Sequence, residues 1–197
     1  MLLVGLTGNF GMGKSHVLSV FRGLGAVTLD SDRIVEILLN EDKVIGQIRA
    51  LLGDNVTGPD GKLDKKSVAK IIFQDPVAKS KLEGLLHPMV FERLDDFINR
   101  MKDKDRIIIV EVPLLFEISC ESRFNKTITV FTPVETAVSR LIASGCSAED
   151  AMARLESQLP IEIKKERADY IIDNSGPKEA TEKQVERIYS LLNLSDA

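Results

Sequence analysis

The sequence is poor in cysteine and contains no long apolar run. Its 197 residues include only two cysteines, Cys120 and Cys146, which lie far apart and fit neither a C-x-x-C pair nor metal-ligand spacing. We therefore expect neither a disulfide nor a zinc site, as is usual in a reducing compartment. No apolar stretch approaches the roughly 20 residues that a membrane-spanning helix requires. These absences predict a soluble, cytoplasmic protein without a membrane partner.

Positive charge is also not in excess. The formal net charge is −4, whereas nucleic-acid binding depends largely on Lys and Arg side chains that neutralise phosphates. We expect no nucleic-acid partner, although a small anionic ligand would need only a local basic cluster. The N-terminal segment MLLVGLTGNFGMGKS lacks a basic n-region, so we predict a buried strand there rather than a signal peptide.

Short apolar runs bounded by turn or helix signals predict buried, parallel strands. There are about five of them, at residues 2–7, 26–30, 106–112, 126–132 and 169–173. Helical patterns follow the first, third and fourth runs, as the right-handed crossovers of a doubly wound sheet require. The predicted fold class is α/β.

A glycine-rich segment between the first strand and the first helix matches G-x-x-x-x-G-K-[ST], the phosphate-binding P-loop. It consists of Gly8, Asn9, Phe10, Gly11, Met12, Gly13, Lys14 and Ser15. Small residues let backbone N–H groups surround an anion, and the following helix adds the positive end of its dipole. Lys14 would contact the β- and γ-phosphates of ATP, and Ser15 would bind Mg²⁺. The backbone of His16 would lie near the α-phosphate, with its side chain on the helix surface.

The predicted third strand ends in a carboxylate, in the run Ile107–Glu111. A strand that ends in a carboxylate is the usual partner of a P-loop, where it orients magnesium-bound water. Glu111 is therefore a candidate metal residue, and the equally weighted alternative is a glutamate that merely ends the strand.

Two long segments with helical periodicity interrupt this nucleotide-binding core, which comprises residues 1–30, 105–135 and 168–197. We predict a helical substrate subdomain at 31–104 and a helical lid at 136–167. The lid segment contains the basic residues Arg140, Arg154, Lys164, Lys165 and Arg167.

Other motifs narrow the class of P-loop protein. A GTPase requires N-K-x-D after a late strand, but Asn125 and Lys126 are followed by Thr127 and Ile128, and an isoleucine cannot accept hydrogen bonds from guanine. Motor and transport ATPases usually have a larger core. The open alternatives are kinases of different small molecules, including nucleotides or a shikimate-like acceptor, and an ATP-binding regulatory module without catalysis.

Segments spread over almost the whole chain resemble the dephospho-CoA kinase family. They are GLTGNFGMGKS (5–15), LDSD (29–32), LEGLLHPMV (82–90), EVPLLFE (111–117), ARLESQ (153–158) and ADYIIDNSG (168–176). The resemblance implies a P-loop NTPase core, ATP and Mg²⁺ as cofactors, and dephospho-CoA as the substrate phosphorylated on its ribose 3′-hydroxyl. It also implies a helical domain that holds the CoA moiety and a mobile lid.

The resemblance assigns roles on the acceptor side. Asp32 corresponds to the general base for the ribose hydroxyl and Asp30 lies near the metal, whereas the alternative is a pair of helix-capping aspartates. The segment Pro113, Leu114, Leu115 and Phe116 would line the acceptor pocket, or else form a buried apolar turn. His87 would contact substrate, or else serve as a capping or core histidine.

On the donor side, the resemblance places Asn174 and Gly176 beneath the adenine, and the alternative is a simple turn before Pro177. Arg140 and Arg154 are the candidate transition-state arginines. The sequence departs from the family pattern at Asn9 and Phe10, where the family commonly has a glycine and an aliphatic residue. It also has Glu111 in place of the usual aspartate, and Ser144 where the lid often has a second arginine.

Overall fold

A five-stranded parallel sheet forms the centre of the chain. The computed structural model describes residues 1–101 and 106–194. The strands are β1 (Leu2–Thr7), β2 (Val27–Asp30), β3 (Ile107–Glu111), β4 (Lys126–Phe131) and β5 (Tyr170–Asp173), in the order β2-β3-β1-β4-β5. All four strand pairings are parallel. The predicted α/β fold is confirmed, and each predicted strand agrees with the structure to within one residue at either end.

The helices fall into two groups. The helices that precede and follow the second strand in the chain are α1 (Lys14–Gly23), α2 (Ser31–Leu38), α3 (Asp42–Leu52), α4 (Lys65–Gln74) and α5 (Pro76–Arg100). The later ones are α6 (Val134–Ala143), α7 (Ala148–Glu156), α8 (Ile161–Arg167) and α9 (Lys178–Leu194). The described residues form two compact units, one of residues 1–30 and 106–194 and one of residues 31–101.

The main core of the first unit lies where α1 and α9 cover one face of the sheet. Val17, Leu18 and Phe21 of α1 share a buried cluster with Val185 and Ile188 of α9 and with apolar side chains from four of the strands. Both helices repeat apolar residues at three- and four-residue spacing, which places those side chains on one face. Every residue of β3 is buried, as expected for a central strand covered on both sides.

The second unit consists of α2–α5. Asp75 begins the long helix α5, because its Oδ1 accepts hydrogen bonds from the N–H groups of Val77 (2.8 Å) and Ala78 (3.1 Å), an N-cap that satisfies otherwise unpaired donors. Leu82, Leu86, Val90 and Leu94 of α5 repeat every four residues and are buried. The helices predicted in 31–104 are therefore present; residues 102–105 lie outside the described residues.

Helices α6–α8 pack together over the glycine-rich loop. Ala137 and Leu141 of α6, Ala151 and Leu155 of α7, and Ile161 of α8 form a buried cluster with Met12. Among the described residues, no helix combines the length and apolarity that crossing a bilayer would require.

Candidate active site

The segment between β1 and α1 has the backbone of a phosphate-binding loop. Gly8, Gly11 and Gly13 have φ angles of 147°, 73° and 87°, a region that side chains disfavour. A Cβ atom would also collide with the Val130 carbonyl at Gly8, and with Asn174 at Gly13. Glycine is thus required at these positions both by backbone conformation and by the closeness of the neighbouring chain.

Lys14 lies in the first turn of α1 and is turned back over the loop. Its Nζ donates a hydrogen bond to the Asn9 carbonyl (3.3 Å) and lies 3.8 Å from Glu111 Oε1. The side chain is largely buried, so its positive charge is little screened by water. Such a charge beside the N-terminus of a helix provides a strong site for a phosphate group.

Carboxylates lie at the carboxyl ends of two adjacent strands. Glu111 ends β3 and Asp30 ends β2, and the two residues are directly paired in the sheet register. Ser15, the third predicted metal residue, is in the first turn of α1. In the described parts of the chain, no group of three or more His, Cys, Asp or Glu side chains could hold a metal ion by itself. The donor set is hard oxygen throughout, which fits Mg²⁺ that is shared with nucleotide phosphates.

The two candidate arginines both lie against the loop. Arg140 donates from Nη2 to the Asn174 carbonyl (2.9 Å). Its buried Nη1 is next to Gly13 and has no hydrogen-bond partner among the residues described. The guanidinium of Arg154 lies 5.9 Å from the centroid of the Phe10 ring, within cation–π range. Ser144 follows α6 and donates to the Leu141 carbonyl (2.7 Å).

Asn174 and Gly176 differ in their environments. Asn174 is buried, donates from Nδ2 to the Met12 carbonyl (2.9 Å) and accepts at Oδ1 from Thr181 Oγ1 (2.9 Å). Its side chain therefore braces the phosphate-binding loop. Gly176 is exposed and has room for a Cβ atom. Adenine binding by this segment stays a prediction.

His16 is less exposed than the sequence suggested. The side chain is half-buried, and Nε2 is buried without a hydrogen-bond partner within residues 1–101 and 106–194. The prediction of a plain helix-surface group is therefore wrong for this imidazole, which is only partly exposed. The backbone N–H of His16 donates to the Gly13 carbonyl (3.1 Å).

The side chains of the turn after β3, residues 113–116, differ in burial. Leu115 and Phe116 expose 0% and 2% of their surfaces; Leu115 lies against Gly5, and the guanidinium of Arg167 lies 4.7 Å from the Phe116 ring centroid. These two side chains fit the buried-turn alternative. Pro113 and Leu114 are half-buried and remain the better candidates for substrate contact.

Asp32 and His87 belong to the second unit. Helix α2 begins at Ser31, so Asp32 lies inside its first turn, two residues after the end of β2, and is exposed. His87 is half-buried within α5, next to the buried Leu86. The general-base and substrate-contact roles of these residues stay predictions.

The sequence interpretation grouped Lys164 with the basic residues of segment 136–167, but its side chain lies in the interior and not in solvent. Lys164 is completely buried and its Nζ lies 2.7 Å from Glu117 Oε1. The signal for its burial was the three-residue spacing from Ile161, which puts both side chains on one helical face. Arg167 likewise contacts Phe116 and pairs with Glu121. The sequence patterns also did not identify Glu117 and Gln158 as site residues, although both contact residues around the site.

A P-loop that follows the first parallel strand, with a buried lysine beside a strand-end carboxylate, defines the class of P-loop nucleotide-binding proteins. Small kinases belong to this class, and the positions of Arg140 and Arg154 against the loop agree with phosphoryl transfer.

Comparison with known proteins identifies the family. The sequence profile of dephospho-CoA kinase matches residues 2–179. A dephospho-CoA kinase of Aquifex aeolicus is 36% identical over 193 residues, 98% of each chain. A crystal structure from Thermus thermophilus superimposes with a TM-score of 0.86 at 33% identity, over 97% of both chains. The fold is also that of a dephospho-CoA kinase from Campylobacter jejuni (TM-score 0.73, 24% identity, 99% of this chain and 98% of that one). The chain belongs to the dephospho-CoA kinase family.

Proposed function

We propose that the chain transfers the γ-phosphoryl group of ATP to the ribose 3′-hydroxyl of dephospho-CoA, which gives coenzyme A and ADP in the last step of coenzyme A biosynthesis. The observation that carries this proposal is the arrangement around Lys14, whose buried ammonium lies between the glycine-rich loop and Glu111. The choice of dephospho-CoA as acceptor rests on family membership, and the choice of ATP as donor rests on the phosphate-binding loop.

On the donor side, the backbone N–H groups of residues 8–15 and the N-terminus of α1 hold the phosphates of ATP. Lys14 neutralises charge on the transferring group, which is where electrostatic stabilisation contributes most to phosphoryl transfer. Arg140 and Arg154 add positive charge, and their contacts with Asn174 and Phe10 place them beside the loop. The segment with Asn174 and Gly176 receives the adenine.

Ser15, Asp30 and Glu111 are the residues that would hold Mg²⁺, directly or through bound water. Together with the nucleotide, the ion would offset the negative charge of the β- and γ-phosphates. Lys14 Nζ and Glu111 Oε1 are 3.8 Å apart, so the residue that would bind phosphate and a residue that would hold the ion are neighbours.

On the acceptor side, Asp32 accepts the proton of the ribose hydroxyl. The helices of residues 31–101, including His87, hold the CoA moiety. Pro113 and Leu114 line the acceptor pocket, and they belong to the turn that Leu115 and Phe116 anchor in the core. Helices α6–α8 act as the lid that excludes water from the site.

An acceptor assay tests this function. Purified protein is given ATP and Mg²⁺ with dephospho-CoA, shikimate or a nucleoside monophosphate, and ADP release is followed by a coupled enzyme assay. Of these three acceptors, we expect only dephospho-CoA to be turned over. The product should have the ³¹P NMR spectrum of authentic coenzyme A. A Lys14→Ala variant of unchanged circular dichroism should be nearly inactive. Turnover of another acceptor, with none of dephospho-CoA, would overturn the proposal.

A further inference from the structure

Two residues between α7 and α8 are bonded to the phosphate-binding loop. Gln158 Oε1 accepts a hydrogen bond from the N–H of Phe10 (2.9 Å), and the carbonyl of Leu159 accepts one from Asn9 Nδ2 (3.0 Å). Gln158 is buried. The segment 158–159 therefore holds the first half of the loop by two hydrogen bonds, one to Asn9 and one to Phe10.

The same segment is held from its other side by a buried ion pair. Glu117 Oε1 accepts hydrogen bonds from the N–H of Leu159 (3.1 Å) and from Lys164 Nζ, which is 2.7 Å away. Lys164 Nζ also donates to the Pro113 carbonyl (3.0 Å), which in turn accepts from Thr7 Oγ1 (3.2 Å). One ammonium group thus joins α8 to both ends of the turn that follows β3.

Stability alone gives a weak reason for placing a lysine there. The side chain of Lys164 has no exposure and that of Glu117 is 16% exposed, so both charges lose most of their hydration. Burial lowers the pKa of Lys164, the Glu117 carboxylate opposes that effect, and the positive charge of Lys14 adds to it. A buried ion pair is often no more stabilising than well-packed apolar side chains of similar volume. What the pair does provide is directional bonds at defined distances.

We propose that Lys164 and Glu117 are positioning residues for phosphoryl transfer. They hold segment 158–159, and through it the Asn9 and Phe10 end of the phosphate-binding loop, at a fixed distance from the 113–117 turn. Neither residue touches the phosphates; each acts through groups that do. The inference rests on the proposed function, since it assigns these residues to the alignment of ATP with the acceptor.

The alternative is a pair that only fills space in the interior, and a double variant distinguishes the two. Lys164→Met alone leaves the Glu117 carboxylate buried without its ammonium and should be destabilised. In Lys164→Met/Glu117→Leu both charges are gone and the volume is nearly kept, so thermal stability should return toward wild type. A space-filling role predicts that activity returns as well. A positioning role predicts that kcat stays low, by roughly 10- to 100-fold, as a small misplacement of reacting groups can cause.

Control variants and a binding measurement separate an effect on the alignment of reacting groups from an effect on ATP affinity. Glu117→Gln keeps an acceptor for both Leu159 and Lys164 and should retain kcat to within a few-fold. Lys183→Met, at an exposed position on α9, is the matched lysine control and should behave as wild type. The Kd of a non-hydrolysable ATP analogue should change far less than kcat in the double variant. Wild-type kcat together with wild-type stability in the double variant would overturn the inference.

A double-mutant cycle with Asn9→Ala provides a second test that does not depend on recovered stability. If the pair acts through segment 158–159, Asn9→Ala should lower kcat in the wild-type background and add little in the Glu117→Leu background, because the connection is already broken. Independent, multiplicative effects of Asn9→Ala and Glu117→Leu would contradict the inference. Absence of dephospho-CoA turnover by the wild-type chain would instead contradict the proposed function.

Discussion

Asn174 shows how much a single side chain contributes to the shape of the phosphate-binding loop. Its amide donates to the Met12 carbonyl, its backbone carbonyl accepts from Arg140, and Thr181 fixes its orientation. A buried amide whose donor and acceptor are both used is held rigidly. The space it occupies also excludes a side chain at position 13, so the glycine of the motif and Asn174 form one fitted pair.

Asp32 is the residue for which a substitution separates base catalysis from metal binding. Asp32→Asn keeps size and hydrogen bonding but cannot accept the proton, so we expect kcat to fall by roughly 100- to 10,000-fold. The Kd of an ATP analogue, measured by titration calorimetry in the presence of Mg²⁺, should stay near wild type. Asp60→Asn, on an exposed turn of the same unit, is the matched control. Loss of ATP affinity alone would assign Asp32 to the metal, and a normal rate would leave it as part of a helix terminus.

At the scale of elements, the strands and the phosphate-binding loop could be predicted because their signals are local. Apolar runs mark buried strands, and the glycines with Lys14 and Ser15 mark an anion site, whatever the rest of the chain does. The Lys164–Glu117 pair could not be found in this way. Its two members are 47 residues apart and adjacent only because α8 packs beside the turn after β3. A basic residue on a helix is usually solvated, and here tertiary packing overrides that expectation.

Helices α6–α8 are the elements for which we predict a change on ligand binding. They contribute Arg140 and Arg154, yet they rest on the loop through a small apolar cluster around Met12. We expect saturating ATP analogue with dephospho-CoA to slow amide hydrogen exchange within residues 136–167, because closure would remove water from exposed backbone. Lys14→Ala, treated with the same ligands, should show little change. Equal exchange in these helices with and without ligands would argue against a lid.

At the scale of the whole molecule, the second unit is a single insertion into the first, between two strands of the sheet. Residues 31–101 enter after β2 and the chain then returns to β3, next to β2 in the sheet. The candidate site residues of the first unit come from segments far apart in the sequence, and the parallel sheet brings them to one edge, where open α/β folds bind ligands. Sequence patterns predicted that edge, whereas the contacts between segments required the folded chain.

The stability of this sheet should depend on pH through Asp169, which joins the start of β5 to β4. Its carboxylate accepts hydrogen bonds from the N–H (2.8 Å) and Oγ1 (2.9 Å) of Thr127 and from Lys126 Nζ (3.1 Å). Partial burial alone would raise the pKa of Asp169, but these bonds outweigh it and lower the pKa from its ordinary value of 3.8. A lowered pKa in the folded state means that the unfolded chain binds the proton more readily. The stabilisation is therefore complete above the unfolded-state pKa and is lost as the pH falls through the folded-state pKa.

Asp169→Asn should accordingly destabilise the protein at neutral pH and matter less in acid. We expect the free energy of unfolding in urea to fall at pH 7 by less than about 1 kcal/mol, since the side chain is partly exposed and its charge is screened. The difference from wild type should persist at pH 5 and narrow as the pH drops below the ordinary aspartate value of 3.8. Asp96→Asn, at an exposed position on α5, controls for the loss of a carboxylate elsewhere. A difference for Asp169→Asn that is constant from pH 7 to pH 3 would show that shape, and not charge, is what position 169 contributes to the β4–β5 connection.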